Sequence, residues 1–216
     1  MIEPAIFSIE TAVHGRYLVR PATGTPVGVL FGFHGYAETA ERHLQALEGI
    51  PGVERWLVVA VQALHPFYTR EQRVVANWMT SQDRERAIAD NLAYVRGVVN
   101  AVAAAAAPPN RRVFAGFSQG GAMAYRAAAH LGADGVIILA ADVPPDVAQR
   151  PGVRLPRVLL GRGTTDPWYT KDKQDADVAT LTRAGADVET CVFEGAHAWT
   201  PEFCALAGEY LQRLVD

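Results

Sequence analysis

The sequence predicts an α/β fold with a mostly parallel central sheet, helices on both faces and no large lid. Three observations carry that expectation. Short apolar runs alternate with helix-like segments, the runs are continuously rather than alternately apolar, and no intervening stretch is long enough to form a separate cover.

Taken in order, Ile6–Val19 reads as a hairpin turning near His14-Gly15. Val27–Phe33, Trp56–Val61, Arg112–Phe117, Gly135–Ala140, Arg157–Leu160 and Val188–Phe193 read as strands, most of them buried on both faces. A long helix is expected from Ser81 to Ala106. Ile88, Leu92, Val95, Val99 and Val102 form one apolar stripe along it, Thr80 and Asp83 have capping-box spacing, and Pro108-Pro109 stop it. Gly121–Leu131 reads as a helix, and the polar stretch holding Asp172, Asp175 and Asp177 reads as a solvated helix face. The last helix starts with Thr200 as N-cap and Pro201 in the first turn, and its apolar residues are Phe203, Leu206, Tyr210 and Leu214. No repeat or linker interrupts the 216 residues, so one domain across 1–216 is expected.

Composition narrows the function classes. Half of the residues are hydrophobic, a fifth are charged, and the formal net charge is −3, which argues against a nucleic-acid partner. The start, MIEPAIFSIE, lacks the basic and apolar regions of a secretory signal, and no run approaches the ~18 to 20 apolar residues that span a bilayer. A cytoplasmic protein without integral membrane association is therefore expected. Cys191 and Cys204 lack metal-ligand spacing and read as buried free thiols. Nothing in the sequence sets an oligomeric state.

Chemistry enters at Gly116-Phe117-Ser118-Gln119-Gly120, a G-x-S-x-G motif in a chain with only three serines. An apolar run enters it and a helix-forming stretch leaves it, the strand-turn-helix setting that a nucleophile elbow requires. Side chains at 116 or 120 would collide with the tight turn, hence glycine. The turn lifts the Ser118 hydroxyl above the sheet and leaves the Gln119 N–H at the positive end of a helix, able to receive an oxyanion.

A serine nucleophile needs a base and an acid, which in this setting follow in the order Ser, Asp or Glu, His. Two histidines follow Ser118. His130 points away along the helix leaving the elbow, whereas His197 sits in the loop between the last strand and the last helix. Asp166 follows the Arg157–Leu160 run through a Gly-Arg-Gly-Thr-Thr turn, and Asp142 and Asp146 are reserve acids. A second oxyanion donor is expected after the Val27–Phe33 strand, in His34-Gly35-Tyr36, and the Tyr36 N–H is the choice; His34 is expected to hold the loop. Phe67, Tyr68, Trp78 and Trp168 are expected in a pocket wall, with Tyr36, Trp168, Tyr169 and Trp199 ringing an open site.

Together, FHGY, GFSQGG, TTDP and GAHAW resemble the phospholipase/carboxylesterase group of α/β-hydrolases, which includes acyl-protein thioesterases. The resemblance follows motif order through nearly the whole chain. It implies the α/β-hydrolase fold, Ser118, Asp166 and His197 as triad, Tyr36 and Gln119 as oxyanion donors, and ester or thioester hydrolysis through an acyl-enzyme without metal or cofactor. One departure stands out: Ala37 and Glu38 follow Tyr36 where the family often has Gly-Asp, which predicts a differently shaped loop. The expected substrate is a small, short-chain carboxylic ester. An acyl-thioester or lysophospholipid on the same triad, or a non-catalytic ligand in the same pocket, stays open as an alternative.

Overall fold

The computed structural model describes residues 4–216. Its centre is a seven-stranded sheet in the order β1-β3-β2-β6-β7-β8-β9. The strands are β1 (Tyr17–Arg20), β2 (Val29–Phe33), β3 (Leu57–Val61), β6 (Arg112–Phe117), β7 (Gly135–Leu139), β8 (Arg157–Gly163) and β9 (Val188–Phe193). A separate antiparallel pair, β4 (His65–Tyr68) and β5 (Val74–Asn77), lies between β3 and the long helix. All pairings in the large sheet are parallel except β1 with β3. The central strands β2, β3 and β7 are buried at every position, as continuous apolar runs require when both faces are covered.

Side-chain parity assigns the covering helices: α1 (Ala40–Glu48), α2 (Arg84–Ala106), α3 (Gln119–Leu131), α5 (Lys171–Arg183) and α6 (Pro201–Arg213), with the single turn α4 (Pro145–Ala148). In β7, Gly135 faces Tyr210 of α6, whereas Ile138, three positions on, packs near Gly121 of α3. Odd separations point to opposite faces of a strand, so α6 and α3 lie on opposite sides. The same parity in β8 places Gly161 against Phe203 of α6 and Arg162 against Gln174 of α5. Helix α1 packs beside Gly32, where a Cβ would meet Leu47 and His43.

The chain starts at the edge in β1, passes to β2, steps back to place β3 between them, and then crosses to place β6 on the other side of β2. The carboxyl ends of β2 and β6 therefore flank a topological switch point, where α/β sheets bind ligands.

Several expectations change. No hairpin forms over Ile6–Val19: residues 4–16 carry no regular structure, and Ile6, Phe7 and Ile9 are about nine-tenths exposed. The extended residues Tyr17–Arg20 find their partner in β3, and Gly15 lies against the Tyr94 ring instead of turning a hairpin. The capping box is also absent. Asp83 adopts a left-handed conformation (φ 48°) without capping α2, and the Thr80 hydroxyl accepts from the Gln82 N–H instead. Asp177 is buried rather than solvated, accepting hydrogen bonds from Val143 N–H (3.2 Å) and the Tyr169 hydroxyl (2.9 Å). Burial pushes its carboxyl up. Cys191 and Cys204 are free, the first half-buried and the second buried.

His43 is buried between the sheet and Trp199, with no hydrogen-bond partner at either ring nitrogen. Burial, with a smaller contribution from nearby His34, pushes its imidazole down to about 3. An unfolded chain takes up this proton below an ordinary histidine value of about 6.5 while the folded one does not. The resulting stability is present in full above about 6.5 and is lost as pH falls toward 3, at roughly 1.4 kcal/mol per pH unit. His43→Phe removes this dependence. Chemical denaturation at pH 7.5 and pH 5 should show the wild type losing about 2 kcal/mol more than the variant across that interval. Equal losses would mean that His43 titrates normally.

Candidate active site

At the end of β6 the backbone turns sharply. Ser118 has φ 52° and ψ −121°, outside any regular structure, and α3 begins with the next residue. The glycines around it are sterically required. A Cβ at Gly116 would lie 2.3 Å from the Gly120 carbonyl oxygen, one at Gly120 would lie 2.0 Å from the Phe33 carbonyl oxygen, and one at Gly121 would lie 2.4 Å from the Ala141 Cβ. The Ser118 N–H is bound to the Leu139 carbonyl at 2.9 Å. The Gln119 N–H belongs to the first turn of α3, where amides have no intrahelical acceptor.

Asp166 lies just beyond β8, its side chain fully buried. One oxygen, Oδ1, accepts the backbone N–H groups of Trp168 (2.8 Å) and Tyr169 (2.9 Å). The other, Oδ2, bonds His197 Nδ1 at 2.7 Å. One carboxylate thus holds its own turn and the imidazole together. A carboxylate accepts only, so Nδ1 carries the proton and Nε2 is left as a base. Phe117 and Trp168 flank the His197 ring at centroid distances of 4.8 and 4.9 Å. The acid turn and the base loop meet backbone to backbone. Thr164 N–H donates to the Phe193 carbonyl, Thr165 N–H to the Gly195 carbonyl, and a Cβ at Gly163 would lie 2.4 Å from the carbonyl oxygens of both Ala196 and Gly195.

The loop after β2 is held by a buried imidazole. His34 Nδ1 donates to the Gly35 carbonyl at 2.7 Å, and Nε2 accepts the Ala63 N–H at 3.0 Å, a pattern that requires the neutral ring. Burial pushes this imidazole below its ordinary value, in keeping with that state. The Trp78 indole N–H caps the His34 carbonyl at 2.9 Å. Gly35 N–H donates to the Glu38 carboxylate (2.8 Å) and Ala37 N–H to the Ala76 carbonyl (3.0 Å). Among the described residues, the intervening Tyr36 N–H has no acceptor. The loop closes on itself at Ala37-Glu38. Ala37 is left-handed (φ 57°), and Glu38 reaches back to Gly35 while pairing with Arg42 at 3.2 Å.

Ser118, Gln119 and His197 line one cavity of about 320 Å³ together with Trp168, Arg84 and Lys173. No hydrogen bond joins the Ser118 hydroxyl to the His197 ring in this state. Among the described residues, no three His, Cys, Asp or Glu side chains gather as a metal site, and no helix is long and apolar enough to cross a membrane.

A family model described as phospholipase/carboxylesterase matches residues 29–215. The chain belongs to the phospholipase/carboxylesterase family. It is thus one of a family of ester-cleaving hydrolases. No protein of curated function matches the sequence. Solved structures with a similar fold include a carboxylesterase from Mesorhizobium loti, 20% identical with a TM-score of 0.78 and covering 92% of this chain and 94% of that one. A Bacillus cereus carboxylesterase is 18% identical (TM-score 0.72, covering 93% and 94%). Acyl-protein thioesterase 2 from Zea mays is 18% identical (TM-score 0.71, covering 94% and 100%).

Within this α/β-hydrolase, the aromatic side chains expected around the pocket separate into different environments. Trp168 is 66% exposed and lines the cavity, whereas Tyr36, 59% exposed with its ring against Phe67, stands with Phe67 outside the cavity lining. Tyr68 is exposed on the β4–β5 pair, away from the cavity lining. Trp78 is fully buried and supports the β2 loop from behind instead of forming a wall. Tyr169 is buried with its hydroxyl on Asp177, and Trp199 is half-buried against His43 and Phe203, so neither rings the site. Each has a packing partner stronger than solvent, which the sequence pattern did not reveal. The reserve acids are committed elsewhere: Asp142 to Lys173 at 3.2 Å, and Asp146 to the buried Arg126 through two bonds of 2.8 and 2.7 Å.

Sequence reasoning missed two supporting side chains. Gln119 accepts the Trp78 N–H and donates to the Met79 carbonyl, both at 2.8 Å, and Asn91 donates to the Trp78 carbonyl at 2.7 Å. An asparagine on the apolar stripe of α2 was the available signal for the second. The Gln119 side-chain role carries no signal beyond its place in the motif.

Gly163→Ala should separate the acid turn from the base loop. We expect a loss of about 1–3 kcal/mol in denaturant unfolding and a marked fall in ester turnover. Gly97→Ala, on an exposed stretch of α2 with open space around it, serves as the control and should be neutral or slightly stabilising. Normal stability and turnover for Gly163→Ala would show that the two loops have room to spare.

Proposed function

We propose that the protein is a serine esterase that cleaves carboxylic esters through an acyl-enzyme, with Ser118 as nucleophile, His197 as base and Asp166 as acid. The observation that carries this reading is the 2.7 Å bond from His197 Nδ1 to Asp166, in a ring that shares one cavity with an elbow serine. Asp166 fixes the tautomer in which Nε2 takes the serine proton, and it stabilises the imidazolium that forms. Catalytic hydrogen bonds often tighten only with substrate bound, so the Ser118–His197 bond forms as the ester enters. Tyr36 N–H and Gln119 N–H receive the oxyanion. Each such donor typically contributes on the order of 3 kcal/mol to lowering the barrier. Water then attacks the acyl-enzyme on the same groups.

Labelling by a fluorophosphonate probe and turnover of p-nitrophenyl esters test the assignment together. Ser118→Ala should fold normally, resist labelling and lose turnover. Asp166→Asn should lower kcat by about 10⁴-fold, as in other serine triads, with Asp142→Asn and Asp146→Asn far less affected. Undiminished labelling of Ser118→Ala, or a larger loss in Asp142→Asn, would overturn the assignment.

The site favours short acyl chains. Residues 141–156 hold only the single turn α4 where a lid would stand, and the cavity of about 320 Å³ has Trp168 beside the base. Each methylene that fits adds about 0.8 kcal/mol, so the gain stops where the cavity ends. Across p-nitrophenyl acetate to palmitate, kcat/KM should peak between acetate and hexanoate without activation at a lipid interface. A continued rise to palmitate would show a longer channel.

A further inference from the structure

The charges on the cavity wall do not cancel. Arg84, the first residue of α2, and Lys173, on α5, both line the cavity that holds Ser118 and His197. Asp142 is the acid on the same wall, and it is paired with Lys173 at 3.2 Å. The neighbouring acids are also taken: Asp83 pairs with Arg86 at 3.2 Å and Asp146 with the buried Arg126. Glu85 is exposed and does not line the cavity. Among the described residues Arg84 forms no ion pair. A chain of net charge −3 thus presents a surplus cation beside its candidate nucleophile.

The N-terminus of α3 opens onto the same cavity at Gln119 and adds positive potential. A guanidinium offers a planar fork of donors suited to a carboxylate or phosphate, and it keeps its charge at any working pH. A neutral ester gains nothing from it.

Resting on the serine-esterase reading, we propose that the preferred substrates are small esters bearing a negatively charged group, and that Arg84 binds that group. Arg84 is a specificity residue. Lys173, held by Asp142, contributes less.

The test compares charged esters with their neutralised twins. Mono-p-nitrophenyl glutarate is measured against its methyl ester for an anion on the acyl side, and 4-butyryloxybenzoate against its methyl ester for an anion on the alcohol side. In at least one pair, kcat/KM should favour the anion by about three- to fivefold at low salt. Arg84→Gln should abolish that ratio, Arg84→Lys should retain most of it, and 0.5 M NaCl should shrink it. Whichever pair responds identifies the side that faces Arg84. Binding of the intact esters to Ser118→Ala, followed by tryptophan fluorescence, gives the same comparison without turnover. Tighter binding of the anion that depends on Arg84, together with a wild-type protein that neither reacts with fluorophosphonate nor turns over esters, would sink the esterase reading while leaving Arg84 as an anion site. Hydrolysis with equal ratios in the wild type and Arg84→Gln would overturn the Arg84 proposal and leave the esterase reading standing.

Discussion

The start of α3 approaches the end of β2 so closely that a Cβ at position 120 would sit 2.0 Å from the Phe33 carbonyl oxygen. This backbone contact sets the spacing between two otherwise independent pieces of chain, the elbow at Ser118 and the loop through Tyr36. A side chain there would push them apart. Ser118, two residues earlier in the same turn, holds a positive φ, and an unusual φ persists only where the surroundings leave no alternative. Gly116 and Gly121 close the turn from its other sides.

A second approach of this kind joins the acid to the base. Gly163 lets the end of β8 pass against the carbonyls of Gly195 and Ala196, and the two carboxylate oxygens of Asp166 then divide their tasks between the turn and the imidazole. Because β2, β6, β8 and β9 are parallel, all four loops emerge at one end of the sheet. Parallel pairing gathers the loops, and glycine contacts set their distances.

Behind the site lies a polar network in an otherwise apolar core. Neutral His34 spans Gly35 and Ala63, Trp78 caps His34, and Gln119 and Asn91 hold the backbone at Trp78. A buried network of this kind rigidifies its surroundings when its members are satisfied. The Asn91 Oδ1 within the network, and both ring nitrogens of His43 nearby, have no partner and lack that compensation.

Most of the architecture was legible in the sequence. Six of the strands of the large sheet were legible as short runs, most of them apolar because burial on both faces leaves little room for polar residues, while the edge strand β9 keeps Glu189 and Thr190. G-x-S-x-G was equally plain, because the steric needs of an elbow are written locally, and Asp166 and His197 follow it in chain order. What required the tertiary structure were the partners. Tyr17–Arg20 looked like half of a hairpin but pairs with β3, forty residues away, and Asp177 looked solvated but receives a tyrosine hydroxyl. Trp78, Tyr169 and Trp199 looked like pocket rings, yet each packs inward. Arg84 drew no notice in the sequence, because its surplus charge exists only once the surrounding acids are seen to be paired. A sequence determines which residues must be buried and which turns can be made; which side chain meets which is decided by the packing of segments far apart in the chain.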